Sequence, residues 1–111
     1  MQIKVWNIQE MTGYEPITTF YEDFSIADHY GKDAIKDTYK RAFNEWKSDY
    51  KYLTELVMVL NWKIAEHYKE GGTDKDNEIA TLYNDLYLQA DEYAVNNLKD
   101  EQLKYFYNTT D

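Results

Sequence analysis

The sequence predicts a mainly α fold, a compact bundle of four to five helices around a central hydrophobic helix at about residues 49–69. Residues 50–68, YKYLTELVMVLNWKIAEHY, carry apolar side chains on opposite sides of a helix, so this helix needs neighbours on both sides. The sole proline is Pro16, which leaves long uninterrupted helices available after it. A chain of 111 residues is long enough to bury one core and too short for two, so we expect a single helical domain over residues 1–111.

The chain is expected to begin with an arm and a loop over residues 1–17. Ile3 and Val5 alternate with residues of the other face, a pattern that indicates a short strand. A single strand needs a partner, and the candidate is the segment around residues 103–109. The N-terminus is therefore predicted either to form a small ribbon with that segment or to pack as an arm on the helices.

Two helices are predicted before the central one. Thr18 or Thr19 can cap the first helix, and Gly31 ends it. The second helix, at about residues 33–47, has an apolar stripe with helical spacing: Ile35, Tyr39, Ala42, Phe43 and Trp46. Its other positions hold Lys36, Lys40, Arg41 and Lys47. This helix is the only locally basic segment of the sequence.

The central helix is expected to start after a cap at Ser48 or Asp49 and to end near the pair Gly71-Gly72. Its second apolar side consists of Met58, Val59 and Trp62. If the first helix and the N-terminal arm do not cover that side, another chain has to do so. The sequence therefore predicts a homodimer through Met58, Val59 and Trp62 as one alternative.

The fourth helix is expected to begin after a cap at Thr73 or Asp74 and to end near Leu98. Four carboxylates on one of its sides would lie within about 40° of one another: Asp74, Glu78, Asp85 and Glu92. Together with Leu88, an apolar neighbour expected to be exposed, these are the predicted partner-binding residues. The helical core is thus assigned to residues 18–98. The remaining residues, 99–111, form a C-terminal tail, either a short helix or an extended segment.

The charge of the chain restricts the partners it can bind. The formal net charge is −9, and residues 70–101 carry nine acids against two bases. An acidic chain repels phosphate backbones and attracts basic protein surfaces, so direct nucleic-acid binding is disfavoured and a basic protein partner is favoured. The absence of cysteine excludes disulfides and thiolate metal sites. With no apolar run long enough to span a membrane and no secretion signal, the expected location is the cytoplasm.

Motifs for catalysis, metal binding or cofactor binding are not recognisable. His29 and His67 each lack the Glu three positions earlier that a di-metal carboxylate bundle uses. The acids after Thr73 resemble a calcium loop, but Ile79 and Asp85 stand where that loop needs Gly and Glu. No glycine-rich phosphate loop and no nucleophile elbow occurs. We therefore expect no enzymatic activity and no cofactor.

Two long runs of sequence carry a family resemblance: MTGYEPITTFYEDFSIAD (residues 11–28) and IKDTYKRAFNEWKSDYKYLTELVMVLNWKIAEHY (residues 35–68). Together with the closing YFYNTTD, they resemble a group of small proteins encoded by phages and prophages of Gram-positive bacteria. The resemblance implies a phage gene product in a bacterial cytoplasm and supplies no site residues.

Two hypotheses for function follow. The first is an interaction protein that binds and inhibits a basic host protein, of the anti-CRISPR or another anti-defence type, through the acidic side of the fourth helix. The second is a structural or assembly protein that acts as a homo-oligomer. Neither hypothesis requires contact with a membrane or with nucleic acid.

Overall fold

Residues 18–110 are described by a computed structural model, and they fold into five α helices with no strand among them. The helices are α1 (Phe20–Asp28), α2 (Lys32–Trp46), α3 (Tyr50–His67), α4 (Glu78–Asn97) and α5 (Glu101–Thr110). The predicted mainly α bundle is confirmed. The predicted N-terminal strand or arm falls outside the described residues. None of the described helices is both long enough and apolar enough to cross a membrane.

The central helix of the bundle is α3, as the sequence predicts. Every residue from 53 to 61 is buried, so this part of α3 is covered on all sides. All four other helices contact it. The largest apolar side chains that surround it are fully or almost fully buried: Phe24 of α1, Ile35 of α2, Tyr83 of α4 and Phe106 of α5. One hydrophobic core therefore joins the five helices.

The second apolar side of α3 is covered within a single chain. Met58 is 2% exposed and Val59 is 8% exposed. Trp62 is half-buried, and its ring packs edge-to-face on Tyr21 of α1, with ring centroids 5.5 Å apart. One chain thus buries Met58 and Val59 and half-buries Trp62 without a second copy. A homodimer through these residues stays a prediction, but an uncovered apolar side of α3 does not support it.

Local side-chain chemistry explains where α3 begins. The Asp49 carboxylate accepts hydrogen bonds from the backbone N–H groups of Lys51, at 3.0 Å, and Tyr52, at 3.3 Å. These two groups have no partner inside the helix, so the cap satisfies donors that would otherwise be left to solvent. Between α1 and α2 the chain turns at Gly31, whose φ of 104° suits glycine and few other residues. Both boundaries agree with the predicted ones to within a residue or two.

The start of α4 differs from the prediction. Its N-terminal cap position is Asn77, so Thr73 and Asp74 lie in the preceding loop. In that loop Thr73 and Asp76 bond reciprocally, each side chain accepting from the backbone N–H of the other, at 3.0 and 3.1 Å. The Asn77 side chain also bonds to the backbone of Lys69. These bonds hold the backbone in a turn, which side chains of this type favour over a helix.

The C-terminal segment is the helical one of the two predicted alternatives, and it belongs to the core. Leu103, Phe106 and Thr110 share one face of α5, and Phe106 is 1% exposed. Because residues 103–109 are helical, they do not provide a strand for the N-terminus. Within the predicted C-terminal segment, α5 thus packs on the helical core through Phe106.

Candidate functional site

Three of the five predicted partner-binding residues lie along one exposed side of α4. Glu78, Asp85 and Glu92 follow one another at intervals of seven residues, or two helical turns, and all three are exposed. Asp74 is exposed but lies in the loop before α4, so it does not join this row. Leu88 is 53% exposed, as expected. The acidic side of α4 is therefore real but shorter than the sequence predicts.

Asp85 and Glu92 border an open groove of about 780 Å³ between α2 and α4. We term it the α2–α4 groove. It has an apolar floor and two charged rims, and its remaining lining residues are polar: Asn44, Gln89, Asn96 and Asn97. The floor consists of Tyr39 and Phe43 from α2 and of Leu82, Leu86 and Tyr93 from α4. Lys36 and Lys40 form the rim on α2, and Asp85 and Glu92 form the rim on α4. Leu88 does not line the groove.

Three of the five floor residues are aromatic, and their rings pack on one another. Tyr39 stacks on Phe43 with centroids 5.5 Å apart, and Phe43 meets Tyr93 edge-to-face at 5.1 Å. Lys47 lies 5.7 Å from the centroid of Phe43 at the end of α2. Burial raises the pKa of Tyr39 to about 12, so its hydroxyl is neutral at physiological pH. The floor is therefore uncharged, and its accessible part belongs mainly to Phe43 and Tyr93, since Tyr39, Leu82 and Leu86 are buried.

The two rims carry opposite charges, and the rim residues form no ion pairs with one another. Within residues 18–110 two ion pairs are isolated, Lys32–Glu78 and Arg41–Asp37. The other three form one group, Lys63–Asp28, Lys63–Glu66 and His67–Asp28. None of these pairs involves a rim residue, and all four rim residues are exposed. Their charges are therefore available to a ligand in the groove. Glu78 differs from the rim acids, because Lys32 already neutralises it.

A second polar site, the Lys63 cluster, joins α1, α3 and α4. Its members are Ser25, Asp28, Lys63, Glu66, His67 and Tyr83. Lys63 is 1% exposed, and its Nζ lies 2.6 Å from Asp28 Oδ2, 2.7 Å from Glu66 Oε2 and 3.3 Å from Ser25 Oγ. His67 Nε2 lies 3.0 Å from the same Asp28 oxygen, and the Tyr83 hydroxyl donates to the other one.

The environment of this cluster shifts the pKa of three groups. Burial raises the pKa of Asp28, but hydrogen bonds from Lys63, Tyr83 and His67 outweigh it, so the net pKa is below its ordinary value. Burial and, after it, the hydrogen bond to Asp28 raise the pKa of Tyr83 far above its ordinary value. Burial also raises the pKa of Glu66. At neutral pH Asp28 is thus a carboxylate and Tyr83 a neutral donor.

The Lys63 cluster brings together groups that can bind metals, but its donors and acceptors already satisfy one another. One ligand atom each from Asp28, Glu66 and His67 lie within 4.8 Å of one another. The Lys63 ammonium stands between both carboxylates, where a cation would have to bind. Its three N–H donors face Asp28, Glu66 and Ser25, so Lys63 is placed as a donor to all three and not as a base for Ser25. The arrangement fits a structural clamp between helices.

Sequence reasoning missed two parts of these sites. It did not single out Lys63, although a lysine within an otherwise apolar helix implies a buried counter-charge, which Asp28 provides. It noted that the second helix is basic without placing Lys36 and Lys40 opposite the acids of α4. The available signal was the spacing of four residues between these lysines, which puts both on the same side of the helix. No family model, curated protein or solved structure matches this chain.

Proposed function

We propose that this protein is a small, acidic, non-enzymatic interaction protein that binds a host protein with a basic surface and inhibits it. The observation that carries the proposal is the acidic rim of the α2–α4 groove. Asp85 and Glu92 are exposed, border an aromatic floor and have no ion-pair partner within residues 18–110. Charged groups at the edge of an apolar surface are typical of protein interfaces.

The net charge of −9 supports a basic partner. Long-range attraction between opposite charges speeds the encounter of two proteins, and charges at the rim suppress binding to wrong partners. The aromatic side chains of the floor are expected to supply most of the binding free energy, as large aromatic side chains do at many interfaces. Phe43 and Tyr93, which are half-buried, are the residues in this role, whereas Tyr39 is 6% exposed and supports them from the core.

A non-enzymatic function is supported by the chemistry of the two polar sites. The Lys63 cluster holds the densest group of titratable residues described here, and its members bond to one another. The α2–α4 groove has lysines and acids on opposite rims, with apolar side chains between them. Neither arrangement provides a base directed at a nucleophile.

The resemblance to phage and prophage proteins suggests the biological setting. We place the protein in the cytoplasm of a Gram-positive host, where inhibition of a defence protein of the anti-CRISPR or another anti-defence type fits its size and charge. Defence nucleases are basic because they bind nucleic acid, so an acidic inhibitor can compete for the same surface. The structural, homo-oligomeric alternative has less support, since Met58 and Val59 are buried in one chain.

The test is affinity capture from host lysate with the wild type and with a variant that carries Asp85→Lys and Glu92→Lys. The charge-matched control carries Glu45→Lys and Glu70→Lys. Both control residues are exposed and lie outside the α2–α4 groove. Glu45 is on the side of α2 that is turned towards α1, and Glu70 is in the loop after α3. We expect the wild type and the control to retain a basic host protein that the Asp85/Glu92 variant loses.

Two results would contradict the proposal. Equal loss of the host protein in both variants would show that only net charge matters. Unchanged capture by the Asp85/Glu92 variant would exclude the acidic rim as the binding surface. Inhibition is measured separately, as the activity of the captured protein with and without the wild-type chain.

A further inference from the structure

We infer that the α2–α4 groove binds an amphipathic helix of the partner, with a basic flank on the α4 rim and an acidic flank on the α2 rim. This inference rests on the proposed function, and it names the element that is recognised. The apolar stripe of the bound helix lies on the aromatic floor. Lysine or arginine side chains on one flank then meet Asp85 and Glu92, and carboxylates on the other flank meet Lys36 and Lys40.

The spacing of the acidic rim fits a helix that lies along the groove. Asp85 and Glu92 are seven residues apart, which is about 10 Å along α4. Basic residues at positions i and i+7 of a bound helix have the same separation, so both pairs can form together. Lys36 and Lys40 are four residues apart, about 6 Å, and match acids at i and i+4 on the opposite flank.

A helix suits this groove better than an extended peptide. The walls are helices, whose backbone N–H and C=O groups are bonded internally along their length, so they offer no ladder of backbone groups to a strand. An extended peptide would bring its own unpaired backbone groups onto the apolar floor, which is unfavourable. A helix satisfies these groups internally and exposes only its side chains.

Other occupants fit the groove less well. Its volume of about 780 Å³ would hold a small molecule, but the groove is open along its length and cannot enclose one. A second copy of the chain related by a two-fold axis would place the same groove opposite itself, and two concave surfaces leave a gap. A convex helix with both charges fills the space and pairs with both rims.

A second groove differs from the α2–α4 groove in its charges. That groove, about 460 Å³, lies between α1 and α2. Its basic residue, Arg41, is 3.3 Å from Asp37 on the same helix, and the facing residue of α1 is Asp23. Its charges are therefore either paired or of one sign. The α2–α4 groove, in contrast, separates unpaired charges of opposite sign across an apolar floor.

A synthetic helix tests the inference directly. The probe is a helix-stabilised, fluorescent peptide of about 18 residues, or ~27 Å, with a leucine stripe, a lysine flank and a glutamate flank. Binding is measured by fluorescence anisotropy to the full chain. The control peptide has the same composition with its residues scrambled, so it carries the same charge without the stripe. We expect the patterned peptide to bind and the scrambled peptide not to bind.

Variants of the two rims then separate local pairing from net charge. Lys36→Glu with Lys40→Glu, or Asp85→Lys with Glu92→Lys, is expected to weaken peptide binding roughly tenfold, since two attractive pairs become repulsive. The fourfold variant combines all these changes and keeps the net charge of the wild type. It is expected to recover the affinity, because the groove again has one rim of each sign.

The fourfold variant is also expected to change the direction in which the peptide lies in the groove. A helix turned end to end exchanges its two flanks, so the peptide is expected to bind the fourfold variant in the reversed direction. A nitroxide at the peptide N-terminus reports this, because it broadens the NMR signals of nearby backbone amides. Amides near Lys36 are broadened in one complex and amides near Asn44 in the other.

Three results would overturn the inference. The first two are equal binding of the scrambled peptide and a fourfold variant that does not recover the peptide affinity. The third is self-association of the chain that Glu92→Lys abolishes, because it would assign the groove to a second copy. The inference and the proposed function can fail separately. Host-protein capture that depends on Asp85 and Glu92, without peptide binding, supports the function and overturns the bound helix. Rim-dependent peptide binding, without host-protein capture, supports the helix site and overturns the function.

Discussion

Lys63 Nζ of α3 lies 2.6 Å from Asp28 Oδ2 of α1, and 1% of the Lys63 side chain is exposed. A buried ammonium is stable only with a partner that offsets its lost hydration. Asp28 is that partner, and its other oxygen accepts from Tyr83 of α4. The ion pair and the hydrogen bond from Tyr83 therefore connect three helices through side chains that are far apart in sequence.

Removing the ammonium is expected to destabilise the bundle. Lys63→Met keeps most of the apolar volume but leaves the Asp28 carboxylate without its closest positive charge, so we expect the free energy of unfolding to fall by about 3 kcal/mol. Urea unfolding followed by circular dichroism measures it. Lys104→Met, on the exposed side of α5, is the matched control and should change stability by about 0.5 kcal/mol or less. Equal effects of the two substitutions would refute the clamp.

The stability contributed by Asp28 is expected to depend on pH. Its pKa in the folded chain is lowered from the ordinary 3.8, so its stabilisation is complete above that value and is lost as the pH falls through the folded pKa. The difference in unfolding free energy between the wild type and Asp28→Asn should therefore shrink as the pH falls below about 4. Urea titrations at several pH values measure it. A difference that persists unchanged in strong acid would contradict the prediction.

The N-terminal cap of α3 gives a third prediction. Asp49→Ala removes the acceptor for the N–H groups of Lys51 and Tyr52, which is expected to cost about 1 kcal/mol of stability. Asp49→Asn keeps an acceptor oxygen and should retain most of the stability. If the two variants were equally unstable, the charge of Asp49 and not its cap would be responsible.

The fourth prediction concerns α5. Phe106 is 1% exposed, so Phe106→Ala is expected to lower the unfolding free energy by about 3 kcal/mol or more. Tyr107 is adjacent and 41% exposed, and Tyr107→Ala should cost about 1 kcal/mol or less. Thermal or urea unfolding compares them. A small loss for Phe106→Ala would mean that α5 does not belong to the core.

The sequence by itself determined the fold class, the central helix and most helix boundaries. These features follow from local causes: the spacing of apolar residues along α3, the Asp49 cap and the turn at Gly31. Its prediction for the start of α4 is wrong, although the reason is also local. The side chains of Thr73 and Asp76 each bond to the backbone N–H of the other and hold a turn, where the sequence predicts the first turn of the helix.

Only the tertiary structure decided which helices face one another. Asp28 meets Lys63, and Lys36 and Lys40 lie across an aromatic floor from Asp85 and Glu92, because α1 packs on α3 and α2 packs on α4. Helical periodicity assigns each residue to a side of its own helix and carries no information about the neighbour of that side. The acidic side of α4 could therefore be found in the sequence, whereas the groove that it borders could not.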